Sequence, residues 1–158
     1  MPTDEPPQLE RFTHADAWNL GQRLVERCLR DSFPVTISIV LGTQRVFHAA
    51  LAGTSADNDA WVARKIEVVR RFDRSSQAVH ERYAKNDPDF LEHFGLSRTT
   101  HAAAGGAVPI RVGGALVGVL AISGLDSDTD HQLAVDALAD HASHSTVDEF
   151  VADLKGDS

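Results

Sequence analysis

The sequence predicts an α/β (α+β) fold, in which an antiparallel sheet of about five strands lies between helices on both faces. Two apolar hairpins and the helical spacing of the segments around them carry this prediction. The second hairpin is the clearer one, because Gly113-Gly114 lies between two apolar runs and glycine accepts the positive φ of a two-residue turn. Its second strand, residues 115–123, is apolar on both sides, which is typical of a central strand covered on both faces.

The first third of the chain contains a helix followed by a hairpin. Thr13 and Asp16 have the spacing of a capping box, and apolar residues then recur with the period of a helix as far as about Arg30. A proline ends this helix, and residues 35–41 then alternate as a strand does. Residues 44–51 form the second strand of the hairpin after a Gly-Thr turn.

The middle of the chain contains two further helices. Asp57-Asn58 can cap an amphipathic helix whose apolar stripe lies on the sheet, with Lys65 close to the buried side. A more polar helix begins at Ser75 or Ser76.

The last third contains a short helix, the glycine hairpin and a longer helix. The short helix runs from about Asp87 to Gly95, since proline favours a helix start and glycine the position after a helix end. Residues 99–104 lead into the hairpin and could add a short fifth strand. Ser127 or Asp128 caps the next helix, and the apolar residues beyond it predict a separate last helix that frays.

Length and composition fit a single domain. The chain has 158 residues, of which 42% are hydrophobic, and this is enough for an ordinary core. We expect the domain to span residues 13–158, preceded by a flexible, proline-rich and acidic arm at residues 1–12.

Charge and hydropathy exclude several classes of partner. The formal net charge of -8 lacks the basic footprint that nucleic-acid binding requires. The longest apolar run, residues 115–122, is far shorter than the roughly 20 residues of a membrane-spanning helix. Cys28 is the single cysteine, so no intrachain disulfide forms, and no secretory pattern opens the chain. We therefore expect a cytoplasmic protein with neither nucleic-acid nor membrane partners.

One group of residues could bind a small planar or anionic ligand. The N–H groups of a glycine bend and of a helix start can hold a carboxylate, a lysine adds positive charge, and a tryptophan forms an apolar wall. The candidate ligand-binding residues are Trp61, Lys65, Ser75, Ser76, Gly105 and Gly106. On this hypothesis the variants Lys65→Ala and Gly106→Val fold but bind weakly.

Each of these residues also has a structural explanation. The glycines could serve a close backbone approach, the serines could cap a helix, Lys65 could extend into solvent and Trp61 could belong to the core. The chain has eight histidines, and His141 and His144 can share a helix face, but the sequence shows no third ligand for zinc. The G-x-S-x-G, H-E-x-x-H, P-loop and Rossmann patterns do not occur, so the sequence leaves open whether the protein is an enzyme.

Short motifs along the chain resemble those of a known family. Residues 105–110 read GGAVPI, residues 123–125 read SGL and residues 130–131 read DH. Upstream, an Asp-Asn-x-x-Trp-x-x-x-Lys pattern at 57–65 and a Phe-x-x-Ser-Ser pattern at 72–76 occur in the same order. In combination they resemble the GlcG/HbpS-like heme-degrading domain family, in particular its small, cytosolic and largely uncharacterised branch. The match covers most of the chain.

The resemblance implies a three-layer, profilin-like fold, homo-oligomers built from dimers, and a tetrapyrrole ligand such as heme. If heme is degraded, bound iron could activate oxygen while the protein supplies an axial ligand and a propionate anchor. Many relatives carry a histidine just before the paired glycines, where this chain has Ala104. His101, three positions earlier, is therefore the candidate ligand of heme iron. The competing hypothesis is a non-enzymatic oligomeric scaffold or partner-binding module without a tetrapyrrole.

Overall fold

A computed structural model describes the backbone of residues 5–156 and the side chains of residues 5–145 and 154–156. The helices are α1 (His14–Arg30), α2 (Ala56–Phe72), α3 (Ser76–Val79), a π-helical turn (His80–Ala84), α4 (Phe90–His93) and α5 (Ser127–Gly156). The strands are β1 (Thr36–Leu41), β2 (Gln44–Ala50), β3 (Ala107–Val112) and β4 (Ala115–Ser123). Among these residues no helix combines the length and the apolar character that crossing a membrane requires.

The four strands form one antiparallel sheet in the order β2-β1-β4-β3. The additional strand predicted at residues 99–104 does not form. This segment makes a turn after Ser97, and the N–H of Ala102 donates to Arg64 O of α2 (3.1 Å). Its backbone is therefore satisfied by the turn and by a helix, and not by a neighbouring strand.

Helices cover both faces of the sheet, which confirms the predicted three-layer arrangement. Alternate residues of β4 divide between the two layers: Leu120 and Ile122 pack with α1 and α5, whereas Val119 and Ala121 pack with α2. All four side chains are buried, as expected for a central strand without a polar face.

Helix boundaries differ from the predictions at three places. The short helix α4 spans only Phe90–His93, where a helix from about Asp87 to Gly95 was predicted. The cap of α2 is Ser55, not Asp57 or Asn58, and Asn58 completes a capping box by accepting the Ser55 N–H (3.0 Å). The start of α5 is capped by Asp126, which accepts the Thr129 N–H (2.9 Å). This helix continues for 30 residues, where two separate helices were predicted.

On the outer edge of β3, the backbone groups that point away from β4 have other partners or are absent. Ser76 Oγ accepts the N–H of Ala107 (3.0 Å) and donates to its carbonyl (3.3 Å), so one side chain takes the place of a neighbouring strand. Pro109 has no N–H to leave unpaired. The N–H of Leu9 donates to Arg111 O (2.9 Å). At the other end of the sheet, the described residues provide no such hydrogen bonds to the outer backbone of β2.

The residues before α1 are anchored where they meet β3. Leu9 is buried in the core and forms a parallel bridge with Val112. Gln8 Oε1 accepts the N–H of Gly114 (2.8 Å). Contact with the domain therefore begins within the segment that the sequence predicts to be a flexible arm.

Candidate functional site

A buried lysine lies between α2 and the sheet. Lys65 is 3% exposed, and its Nζ donates to Ile122 O at 3.0 Å and to Asp130 Oδ2 at 3.4 Å. Asp130, in the first turn of α5, is 1% exposed. Removing an ion from water is costly, so a buried charge requires a partner of this kind. The Lys65–Asp130 pair thus joins α2, β4 and α5 at one point.

Burial affects the protonation of both members of the pair. Loss of hydration lowers the pKa of Lys65 and raises the pKa of Asp130, while their mutual attraction opposes both shifts. Asp130 Oδ1 also accepts the N–H of Leu125 (3.0 Å), which favours the charged carboxylate. Desolvated titratable pairs of this kind occur at functional sites and in structural ion pairs alike.

Gly106 makes the close approach around this pair possible. Its φ is 136°, and a Cβ at this position would overlap Ile122 O and lie 2.7 Å from Lys65 Nζ. Gly105 is equally confined, because a Cβ there would overlap Ser127 O. The glycine bend therefore packs against groups of the protein itself, as in the structural explanation for these residues.

A pocket of about 270 Å³ opens beside the ion pair. Its lining includes Asp57, Trp61 and Lys65 of α2, Ala104, Ser123 at the end of β4, and Asp130. Trp61 is 36% exposed, and the Arg64 guanidinium lies 4.2 Å from the centre of its ring. The structure thus brings together two of the predicted ligand residues, Trp61 and Lys65, with Gly106 in contact with the lysine.

The two predicted serines do not line this pocket. Ser75 Oγ accepts the N–H of Ala78 (3.1 Å) and caps α3, while Ser76 bonds to the edge of β3. Both are buried, and both hydroxyls have backbone partners. Their role in ligand binding stays a prediction.

His101, the candidate iron ligand, also lies outside the pocket lining. It is half-buried, and its Nδ1 is 2.6 Å from Thr100 Oγ1. Ala104, at the position where many relatives carry a histidine, does line the pocket. Within the described part of the chain, no three His, Cys, Asp or Glu side chains are placed to hold a metal ion.

Asp130 is the site residue that sequence reasoning missed. In the sequence Asp130 stands only in the Asp-His motif at 130–131, and Lys65 is expected either to bind an anion or to reach solvent. A signal was present, because a lysine on the buried side of an amphipathic helix requires a carboxylate somewhere in the fold. The sequence does not indicate which of its many acidic residues that is.

The fold and the pocket define a small three-layer α+β domain with a candidate ligand site beside α2. Residues 12–139 match the family described as "Haem degrading protein HbpS-like", and this chain belongs to that family. A UPF0303 protein of Streptomyces avermitilis is 46% identical over 131 residues, which cover 82% of this chain and 80% of the relative. A UPF0303 protein of Brucella canis is 40% identical over 133 residues, covering 84% and 79%.

Solved structures share the fold. The Ybr137w protein superposes with a TM-score of 0.80 at 31% identity, over 87% of this chain and 82% of that one. PduOC, solved in complex with heme, gives 0.65 at 20% identity, over 81% and 93%. An HbpS double mutant from Streptomyces reticuli gives 0.66 at 18% identity, over 84% and 88%. At these lower identities the likeness concerns the fold alone.

Proposed function

We propose that this chain binds heme, or a related planar tetrapyrrole that bears carboxylates, at the Lys65 pocket. The observation that carries the proposal is the placement of a buried lysine amine beside a partly exposed tryptophan in one pocket. Membership of the HbpS-like family and the heme complex of PduOC support this class of ligand.

The pocket suits part of such a ligand. Lys65 has three N–H donors, of which two have partners, so one can serve a carboxylate. Arg64 adds a second positive charge beside Trp61, so that Lys65 and Arg64 together match the charge of the two lining carboxylates, Asp57 and Asp130. The volume of about 270 Å³ is below the ~300–1,000 Å³ typical of pockets that enclose a drug-sized ligand. A tetrapyrrole would therefore place one ring edge inside and the rest over Trp61.

The pocket does not fit the iron of heme. Among the described residues, none in its lining is a histidine, cysteine, methionine or tyrosine, the usual axial ligands. Iron ligation, and with it iron-dependent degradation of heme, rests on His101, which lies outside the lining. If His101 ligates the iron, as the resemblance implies, His101→Ala alters the visible absorption spectrum of the heme complex. An unchanged spectrum rejects His101 as the ligand and leaves binding through the ring and carboxylate.

Trp61→Ala is expected to weaken binding of heme and of iron-free protoporphyrin about tenfold, since it removes the aromatic wall. Absorption and fluorescence titrations measure both affinities. Trp18→Ala is the matched control, because Trp18 is 59% exposed on α1, on the opposite face of the sheet. Failure of the parent to bind either compound, or equal losses in the two variants, would refute the proposal.

The alternative function is a non-enzymatic oligomeric scaffold or partner-binding module. It is favoured by one observation: the glycine bend and Lys65 are packed against groups of the protein itself. Normal assembly of a parent protein that binds no tetrapyrrole would support this alternative.

We further propose that the protein is a cytoplasmic homo-oligomer. The outer edge of β3 is covered, whereas the edge of β2 keeps unpaired backbone groups within the described chain, and such edges favour pairing with another strand. Light scattering at micromolar concentration should give a mass of at least two chains. A monomer under these conditions would contradict the prediction.

A further inference from the structure

A second cavity, of about 420 Å³, forms a groove between α1 and α5. Leu20, Leu24 and Ala137 give it an apolar floor, and His141 also contributes to the lining. The groove and the Lys65 pocket have no lining residue in common within the described part of the chain. It is therefore a separate candidate for ligand binding.

Three arginines of α1 line this α1–α5 groove. Arg23, Arg27 and Arg30 are spaced by four and three residues, which places their side chains on one face of the helix. None of the three guanidinium groups forms an ion pair or a hydrogen bond with another described residue. The dipole at the C-terminal end of α1 can attract Arg27 and Arg30 in the last turn, but it does not account for Arg23.

A buried imidazole lies among these charges. His141 is 4% exposed, and its Nδ1 is buried without a hydrogen-bond partner. Phe12 packs edge-on against the ring, with 5.7 Å between the ring centres. Loss of hydration lowers the pKa of His141, which favours the neutral ring with a single N–H. Because Nδ1 is sealed off, Nε2 is the nitrogen that can serve a group bound in the groove.

We propose that the α1–α5 groove binds a small molecule that carries a phosphate or carboxylate group, with Arg23 and Arg27 as its main anchors. The planar guanidinium fork matches the paired oxygens of both groups. The His141 ring lies beneath the bound oxyanion, and the apolar floor receives the rest of the ligand.

The carboxylates of the groove provide a test of the sign of the ligand charge. Asp136 accepts a hydrogen bond from Gln132 (2.8 Å). Asp140 Oδ1 lies 3.4 Å from Nδ1 of His144, but the hydrogen bond of this nitrogen is to the backbone carbonyl of Asp140 (2.8 Å). Glu26 is the third acidic residue of the lining. These groups repel an anion and attract a cation. Neutralising Asp140 therefore strengthens binding only if the ligand is anionic.

Calorimetric titration with inorganic pyrophosphate and with citrate tests the proposal, because the two probes separate the phosphate from the carboxylate source. Arg23→Gln and Arg27→Gln should each weaken binding about tenfold, as expected for loss of a charge-assisted hydrogen bond. Arg74→Gln is the matched control, since Arg74 is exposed and outside the groove. Asp140→Asn should increase the affinity severalfold through reduced repulsion.

His141 provides a signal that distinguishes binding in the groove from non-specific attraction of anions to the protein surface. Binding should shift the NMR signals of the His141 ring in the parent protein and much less in Arg23→Gln. Binding of one probe alone assigns the site to that chemistry and supports the proposal. The proposal is overturned if neither probe binds in the millimolar range, if Arg74→Gln weakens binding as much as Arg23→Gln, or if Asp140→Asn lowers the affinity.

Discussion

Lys65→Met is expected to lose about 3–5 kcal/mol of unfolding free energy, because it leaves the carboxylate of Asp130 buried without its partner. Adding Asp130→Asn should recover at least about 1.5 kcal/mol, since an amide needs no counter-ion. The amide oxygen can still accept the N–H of Leu125. Urea denaturation of the parent, the single variants and the double variant measures the coupling.

An exposed ion pair provides the control for this cycle. Lys85 pairs with Glu81 at 3.2 Å, but both side chains are more than half exposed. Lys85→Met should therefore change the stability by no more than about 0.5 kcal/mol. Additive losses in the Lys65 and Asp130 variants would show that the buried pair does not act as a unit.

The difference in unfolding free energy between the parent and Lys65→Met should also become smaller as the pH falls from 7. Without the lysine, burial holds the pKa of Asp130 further above its unfolded value of about 3.9. The folded variant then takes up a proton at a pH where the unfolded chain does not, so its stability rises as the pH falls through the folded pKa. A deficit that grows between about pH 7 and 5 would contradict this account.

Gly106→Ala is expected to prevent normal folding or to cost more than about 4 kcal/mol. Two effects add: the φ of 136° is disfavoured for residues with a side chain, and the new Cβ would overlap Ile122 O. The larger Gly106→Val, expected from the sequence to fold, is therefore excluded as a binding probe. Expression level and thermal unfolding measure the effect.

Gly113→Ala tests a positive φ without the steric overlap that a side chain at Gly106 would create. Gly113 also has a positive φ, of 59°, but a Cβ there would have no neighbour within 4 Å. The variant should lose only about 1–2 kcal/mol, the cost of a left-handed backbone. Equal losses at the two glycines would mean that the contact with Ile122 is unimportant.

The sequence by itself determined the fold class and most of the helices and strands. The turn at Gly113-Gly114, the apolar faces of 115–123 and the helical stripe around Lys65 are local patterns, and each acts within one or two elements. Local patterns do not specify hydrogen bonds between distant backbones. For this reason the sequence did not indicate that residues 99–104 bond to a helix and not to a strand, nor that Leu9 is anchored to β3.

Only the tertiary structure decided the site. Lys65 and Asp130 are 65 residues apart, and nothing in either local sequence specifies the other as its partner. Packing of α5 against the sheet brings Asp130 to the lysine, and packing of the same helix beside α1 brings His141 to Arg23. Burial decides which of the many charged residues become partners, because only a charge removed from water requires an opposite charge within hydrogen-bonding distance.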